Sequence, residues 1–263
     1  MKLLKKLIFI IIFFTLGLNS SFAQGKIANF QWVQMNFFSL SAQLNSNGWA
    51  LGYRWGHFVS IYQRNYWEIG LTHIKDPREV KFSNPFYLGG DKIFYGKIND
   101  MYDLRFGLGK MHIITWKQDI GSVEIRFFNS FGASVAMIKP VYYKILDISG
   151  KYSYYSKFSD KIMLSQIMQM APFSMGLSEI KPDLGGYLKI GISFEGSQSS
   201  RGIFAVMVGS SITAYLLPVK LLYGQNYKNI FINLFVGARI GLYYPPAKKV
   251  KKSAALSQII KNQ

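Results

Sequence analysis

The chain has 263 residues, is 49% hydrophobic and 16% aromatic, and carries a formal net charge of +18 with no cysteine. Without cysteine there is no disulfide framework and no thiolate metal centre, and this length suits one large β domain.

The opening stretch MKLLKKLIFIIIFFTLGLNSSFA combines a basic n-region (Lys2, Lys5, Lys6), an apolar run from Leu7 to Leu18 and a small-x-small site at Ser21-Phe22-Ala23. It reads as a signal peptide, residues 1–23, cleaved after Ala23. The apolar run is shorter than the roughly 20 residues of a helical span. Export also removes nucleic acid as a partner for the positive charge. No later segment offers an apolar run of helical transmembrane length.

Downstream, eight segments alternate with the period of a strand, whose successive side chains point to opposite faces. They are 38–45, 49–58, 65–74, 101–110, 122–137, 186–195, 201–216 and 229–244. Asn47-Gly48, between the first two, is a favoured hairpin dipeptide. In the last segment, Ile230, Ile232, Leu234, Val236, Ala238, Ile240, Leu242 and Tyr244 share one parity, and Phe231, Asn233, Phe235, Gly237, Arg239, Gly241 and Tyr243 share the other. Several segments exceed the five or six residues of an ordinary sandwich strand. The connections also sort by length. Those after the second, fourth and sixth segments are short, whereas those after the third and fifth, 75–100 and 138–185, are the longest in the chain. Short turns at one end and long loops at the other predict an all-β fold, an eight-stranded antiparallel transmembrane β-barrel with two long extracellular loops. Its domain would span 24–244, followed by a basic periplasmic tail, 245–263. Trp49, Trp55, Tyr66 and Trp67, close to segment ends, are expected to form an interfacial aromatic girdle.

In that barrel the parity opposite the apolar one faces the lumen. It carries Arg54, Arg105, Arg126, Lys189 and Arg239 against Glu68, Asp103, Glu124 and Glu195. Eight strands enclose little more than side chains, so these charges are expected to pair and occlude any channel. The tail adds Lys248, Lys249, Lys251, Lys252 and Lys261 without an acid, a stretch suited to a solvated terminus or to an anionic partner in the periplasm.

Motifs for chemistry are few. FGLGKM (106–111) lacks phosphate-loop spacing and reads as a strand end whose glycines relieve crowding. His57, His73 and His112 lack metal-ligand spacing. A lipid-modifying site would need His73 with Ser83 or Asp76. Met163, Met168, Met170 and Met175 suit packing better than copper. SDKIMLSQIMQM (159–170) suggests a short helix capped by Ser159. No cofactor, metal site or catalytic residue is expected.

The signal ending FAQ and the alternating segments, with WEIGLTHIKDPREVKFSNPF and IKPVYYKIL among them, resemble the small outer-membrane β-barrels of Bacteroidota, an uncharacterised family. The resemblance covers most of the mature chain and implies the fold and a cell outer membrane location, with no site residues to transfer. Many such barrels end on an aromatic of the last strand. Here Pro245-Pro246 and the tail follow, which places the assembly signal around Leu242 to Tyr244. The expectation is a structural or interaction scaffold contacting outer-membrane lipid, a candidate accessory subunit of an envelope complex. Its partner surfaces would be loops 75–100 and 138–185 or the tail. The alternatives are a lipid-modifying barrel enzyme and, less favoured, a small-solute channel.

Overall fold

The computed structural model describes residues 35–60, 62–86, 92–115, 123–147, 152–160, 162–196 and 202–245. The signal segment and the lysines of the tail lie outside these residues. In chain order the strands are β1 (Asn36–Asn45), β2 (Gly48–Phe58), β3 (Gln63–Ile74), β4 (Lys81–Phe82), β5 (Ile93–Phe94), β6 (Asn99–Thr115), β7 (Glu124–Pro140), β8 (Tyr142–Leu146), β9 (Ser153–Lys157), β10 (Ile167–Met170), β11 (Lys181–Glu195), β12 (Gly202–Val219) and β13 (Lys228–Tyr244).

Eight of them close an antiparallel barrel in the order β1-β13-β12-β11-β7-β6-β3-β2. Closure comes from β1, which pairs with β13 from Asn36↔Tyr244 to Asn45↔Phe235 and with β2 from Asn36↔His57 to Asn45↔Gly48. Every barrel strand thus has a neighbour on each side, and the barrel has no open edge. The first hairpin turns on Ser46 and Asn47, with Gly48 already paired in β2. Its φ of +147° and a Cβ position that would lie 1.9 Å from the His73 carbonyl oxygen explain why glycine stands there.

Faces follow the sequence parity. On β13, Ile230, Ile232, Leu234, Val236, Ile240 and Leu242 are exposed, whereas Phe231, Asn233, Phe235, Arg239 and Tyr243 are buried. The same holds around the barrel, where Leu40, Leu51, Phe106, Leu188 and Phe204 face outward. A closed sheet with an apolar outside and a charged, buried inside satisfies every ladder hydrogen bond internally and matches hydrocarbon rather than water. With 10 to 18 residues its strands are long enough to span tilted. The protein is a transmembrane barrel of the outer-membrane type.

Several strands run further than their alternation. β6 continues to Thr115, β7 to Pro140, and β11 begins at Lys181. At the lower end lie the described chain ends, Met35 and Pro245, and the connections β2–β3, β6–β7 and β11–β12. At the upper end, 75–98 and 141–180 hold the small strands. β4 pairs with β5, and β10-β8-β9 form a three-stranded sheet. The helix expected over 159–170 does not form. Only Leu164–Gln166 makes a 3-10 turn, and β10 follows, with Ile167 paired to Ile145. Ile167, fully buried, packs with Ile93, Val141, Tyr143 and Ile145, so strand pairing over this small core outweighs local helix propensity.

Candidate functional site

The lumen is filled in layers. At the upper mouth Ile74, Met101, Ala136, Tyr215, Val219, Leu221 and Phe231 form an apolar layer. Beneath it Arg105 Nε donates to Asp103 at 2.7 Å and its Nη2 to Thr213 at 2.9 Å. In the middle Glu68 accepts from Arg54 Nε at 2.5 Å and from Lys189 Nζ at 3.1 Å. The Arg54 guanidinium also lies 4.6 Å over the Phe128 ring and 4.8 Å over Tyr66.

The lower cluster centres on Glu195. Arg126 Nη1 donates to it at 2.6 Å, Arg239 Nη2 at 3.2 Å and the Tyr243 hydroxyl at 2.5 Å, with Arg64 Nη1 4.0 Å away. Glu124 holds Arg126 Nε at 2.5 Å. Phe37, Phe58, Ile203 and Met111 close the barrel around this cluster. All nine charges named from parity therefore lie inside the barrel, and all are buried. Since β11 lies two places from β13 in the barrel order, Arg239 meets Glu195 rather than Glu68 or Asp103.

Aromatic rings complete the filling by lying against cross-strand glycines. Tyr66 faces Gly109, Phe128 faces Gly191, Phe235 faces Gly209 and Tyr215 faces Gly185. A Cβ on Gly109 would stand 2.2 Å from Tyr66 Cζ, and one on Gly191 or Gly209 would stand 2.7 Å from its ring. FGLGKM is thus mid-strand rather than a strand end, and its glycines are where the rings sit. Tyr66 is buried at 2% and points inward, so it does not belong to the girdle. Trp49, Trp55 and Trp67 do face outward, and Trp55 Nε1 donates to the Tyr244 hydroxyl at 3.1 Å.

Arg64 escaped the parity reading. It lies in the polar start of β3, buried, with Nη1 2.5 Å from the Tyr243 hydroxyl and its guanidinium 4.1 Å over Phe58. At the upper rim Lys97, also unforeseen, bridges Glu79 at 2.7 Å and Asp100 at 2.8 Å.

His73 faces outward near the upper rim. Its partner is Asp100 at 3.1 Å, not Ser83 or Asp76, and its ring stacks on Tyr102 at 4.9 Å and lies 5.8 Å from Trp49. Asp76 instead accepts from the Arg78 backbone N–H at 2.9 Å and stands 3.4 Å from Lys228. His57 and His112 face outward without a metal partner set, and among the described residues no group of three potential His or acid ligands forms. The four methionines do not share a site, since Met163 is exposed while Met170 packs against the loop core.

Above the barrel the connections are tied into a platform. Lys97 and Leu222 form a β-bridge, Tyr223 N–H donates to Gly96 at 2.7 Å, and Val141 N–H donates to Ile98 at 2.9 Å. The Tyr143 hydroxyl, at the centre, donates to the carbonyls of Phe94 (2.6 Å) and Lys97 (2.9 Å), and burial raises its pKa above the usual phenol range. On the surface, Lys157 and the Tyr142 hydroxyl both donate to Glu179 and hold its carboxylate below the usual range. The outer strand β9 presents Tyr154 and Tyr155 beside Tyr152, all exposed.

No family model matches the sequence, and no curated protein matches it. Among solved structures, it is similar to the N-terminal β-barrel domain of Pseudomonas aeruginosa OprF, at 8% identity over 80% of this chain and 98% of that one, TM-score 0.35. Neisserial surface protein A matches at 10% identity over 79% of this chain and 95% of that one, TM-score 0.34. Ail, the attachment invasion locus protein of Yersinia pestis, matches at 9% identity over 80% and 96%, TM-score 0.32. At these values no function passes from those proteins to this chain, and the architecture stands on its own strand pairing and polarity.

Proposed function

We propose that the protein is a non-conducting scaffold of the outer membrane, with its upper platform outside the cell and its tail in the periplasm, where it serves an envelope complex as an accessory subunit. The carrying observation is the division of labour between the two ends. The lumen is filled from mouth to mouth by ion pairs and rings, while 141–180 folds into a sheet with its own core. A rigid barrel carrying an ordered loop platform is the usual arrangement for recognition. The platform and the basic tail are the surfaces offered to partners. Purified barrel in planar bilayers tests the first half: the expected result is no single-channel steps, and reproducible openings would favour the channel reading instead.

One observation supports a second reading, a lipid-modifying enzyme. The His73–Asp100 pair sits on the outer face beside Trp49 and Tyr102, where lipid head groups would reach it. Under the scaffold reading His73→Ala leaves the lipid A mass profile of the cells unchanged, and a wild-type modification lost in that variant would make the enzyme the better account.

A further inference from the structure

The charges of the lumen do not balance. Below the Asp103–Arg105 pair lie five buried cations, Arg54, Arg64, Arg126, Lys189 and Arg239, against three buried carboxylates, Glu68, Glu124 and Glu195. The chain has 13 acidic residues in all, and on this side only Asp119, in the β6–β7 connection, lies outside the described residues. Even if Asp119 contributed its charge, one cation would remain without a counter-charge. An uncompensated ion held away from water is strongly unfavourable.

The guanidinium contacts show the same shortage. Arg54 Nη1 turns to the Met207 sulfur at 3.6 Å, and Arg239 Nη1 turns to the Met111 sulfur at 3.8 Å. A thioether is a weak acceptor. Arg54 Nη2 and Arg239 Nε, with the Ser39 hydroxyl, are buried and have no hydrogen-bond partner among the described residues. Ser39 pairs across to Arg54, and the neighbouring Ser41 pairs across to Arg239, so β1 lies between the two arginines. Arg54 and Arg126 both repel Arg239 electrostatically.

We propose that the lower lumen binds a small monovalent inorganic anion of halide size, held by Arg54 Nη2, Arg239 Nε and the Ser39 hydroxyl. Charge and size select this class. Among the described residues the excess is two charges, and one halide offsets the share carried by Arg54 and Arg239, whereas an oxyanion would bring more bulk than rings packed against glycines admit. With Phe37 and Phe58 below and the Tyr215–Phe231 layer above, the ion would enter as the barrel closes and exchange slowly afterwards. This inference goes beyond the scaffold reading and is tested independently of conductance.

The test refolds the full chain from urea into detergent micelles in sodium bromide, desalts it into gluconate buffer, and counts bromide released on heating. About one bromide per folded barrel is expected, since a single shared site is proposed. Chloride should likewise be retained by protein extracted folded from membranes and desalted in the same way. Arg54→Met and Arg239→Met should each release well under half the wild-type amount. Crystals of the wild type grown in bromide should show an anomalous peak within hydrogen-bond distance of Arg54 and Arg239, which keeps the test valid if the variants fail to fold. No retained halide in folded wild type, an anomalous peak elsewhere, or undiminished retention in both variants would overturn the proposal.

Discussion

Replacing Glu195 by glutamine keeps the side-chain shape and removes the one carboxylate that Arg126, Arg239 and Arg64 share, at 2.6, 3.2 and 4.0 Å. Breaking a buried ion pair by removing one partner costs about 3–5 kcal/mol, because the other charge is left stranded. Three cations do not triple that cost here. Arg126 retains Glu124 at 2.5 Å and Arg64 retains the Tyr243 hydroxyl, so Arg239 is the group left stranded. The expected loss for Glu195→Gln is therefore about 3–5 kcal/mol. Arg239→Met should cost less, about 1.5–3 kcal/mol, the worth of a hydrogen bond to a charged group. It leaves Glu195 with Arg126 and relieves the repulsion that Arg54 and Arg126 exert. The double variant should recover part of the Glu195→Gln loss. Urea unfolding of the barrel in phospholipid vesicles, followed by tryptophan fluorescence, measures all three. A Glu195→Gln loss below about 1 kcal/mol, the scale of a solvated surface pair, would refute the reasoning, as would an Arg239→Met loss exceeding it.

Gly109→Ala should destabilise the barrel by about 1–3 kcal/mol by overpacking the Tyr66 ring, and Tyr66→Leu in the same chain should restore part of it in the same unfolding assay. Val236→Arg, on the outer face of β13, should cost about 2–4 kcal/mol if it lies near the bilayer midplane, and an unchanged midpoint would mean that this face does not meet lipid. Tyr143→Phe removes both hydroxyl bonds that anchor the platform, so limited proteolysis should cut 141–180 faster while the heat-modifiable gel shift of the barrel stays as in wild type.

The barrel was legible because its two faces meet such different surroundings. Lipid outside and packed charge inside impose a strict period of two, and nine lumenal charges follow from that alone. Where the surroundings become alike, the pattern fades. The upper ends of β7 and β11 rise toward the platform, where both faces meet polar groups, and β6 runs on at the opposite, lower end, so the alternation stops short of the strands. Arg64 was missed because Gln63-Arg64-Asn65 is polar on both parities. Tyr66 was misplaced when nearness to a strand end outweighed its inward parity. The partner of each charge was not legible, because it depends on the stagger of strands around the barrel. Glu195 as a hub for three arginines from β3, β7 and β13 is a property of that stagger. The small core beneath β8 and β10 was hidden for a related reason: its residues come from two separate connections, whose alternation is too short to stand out.

The rings packed against glycines bear on how a closing sheet finds its alignment. A slip of one residue is self-correcting, because it turns lipid-facing side chains inward and charges outward. A slip of two preserves both faces, and alternation cannot detect it. The glycines can. Displaced by two positions, Phe235 would meet Met207 or Ser211, Phe128 would meet Lys189 or Ser193, and Tyr215 would meet Asp183 or Tyr187. Each of these carries a side chain where the ring needs bare backbone. The three slots lie on successive seams between β7 and β13, so an error at any one of them meets a steric obstacle before the barrel can close on β1.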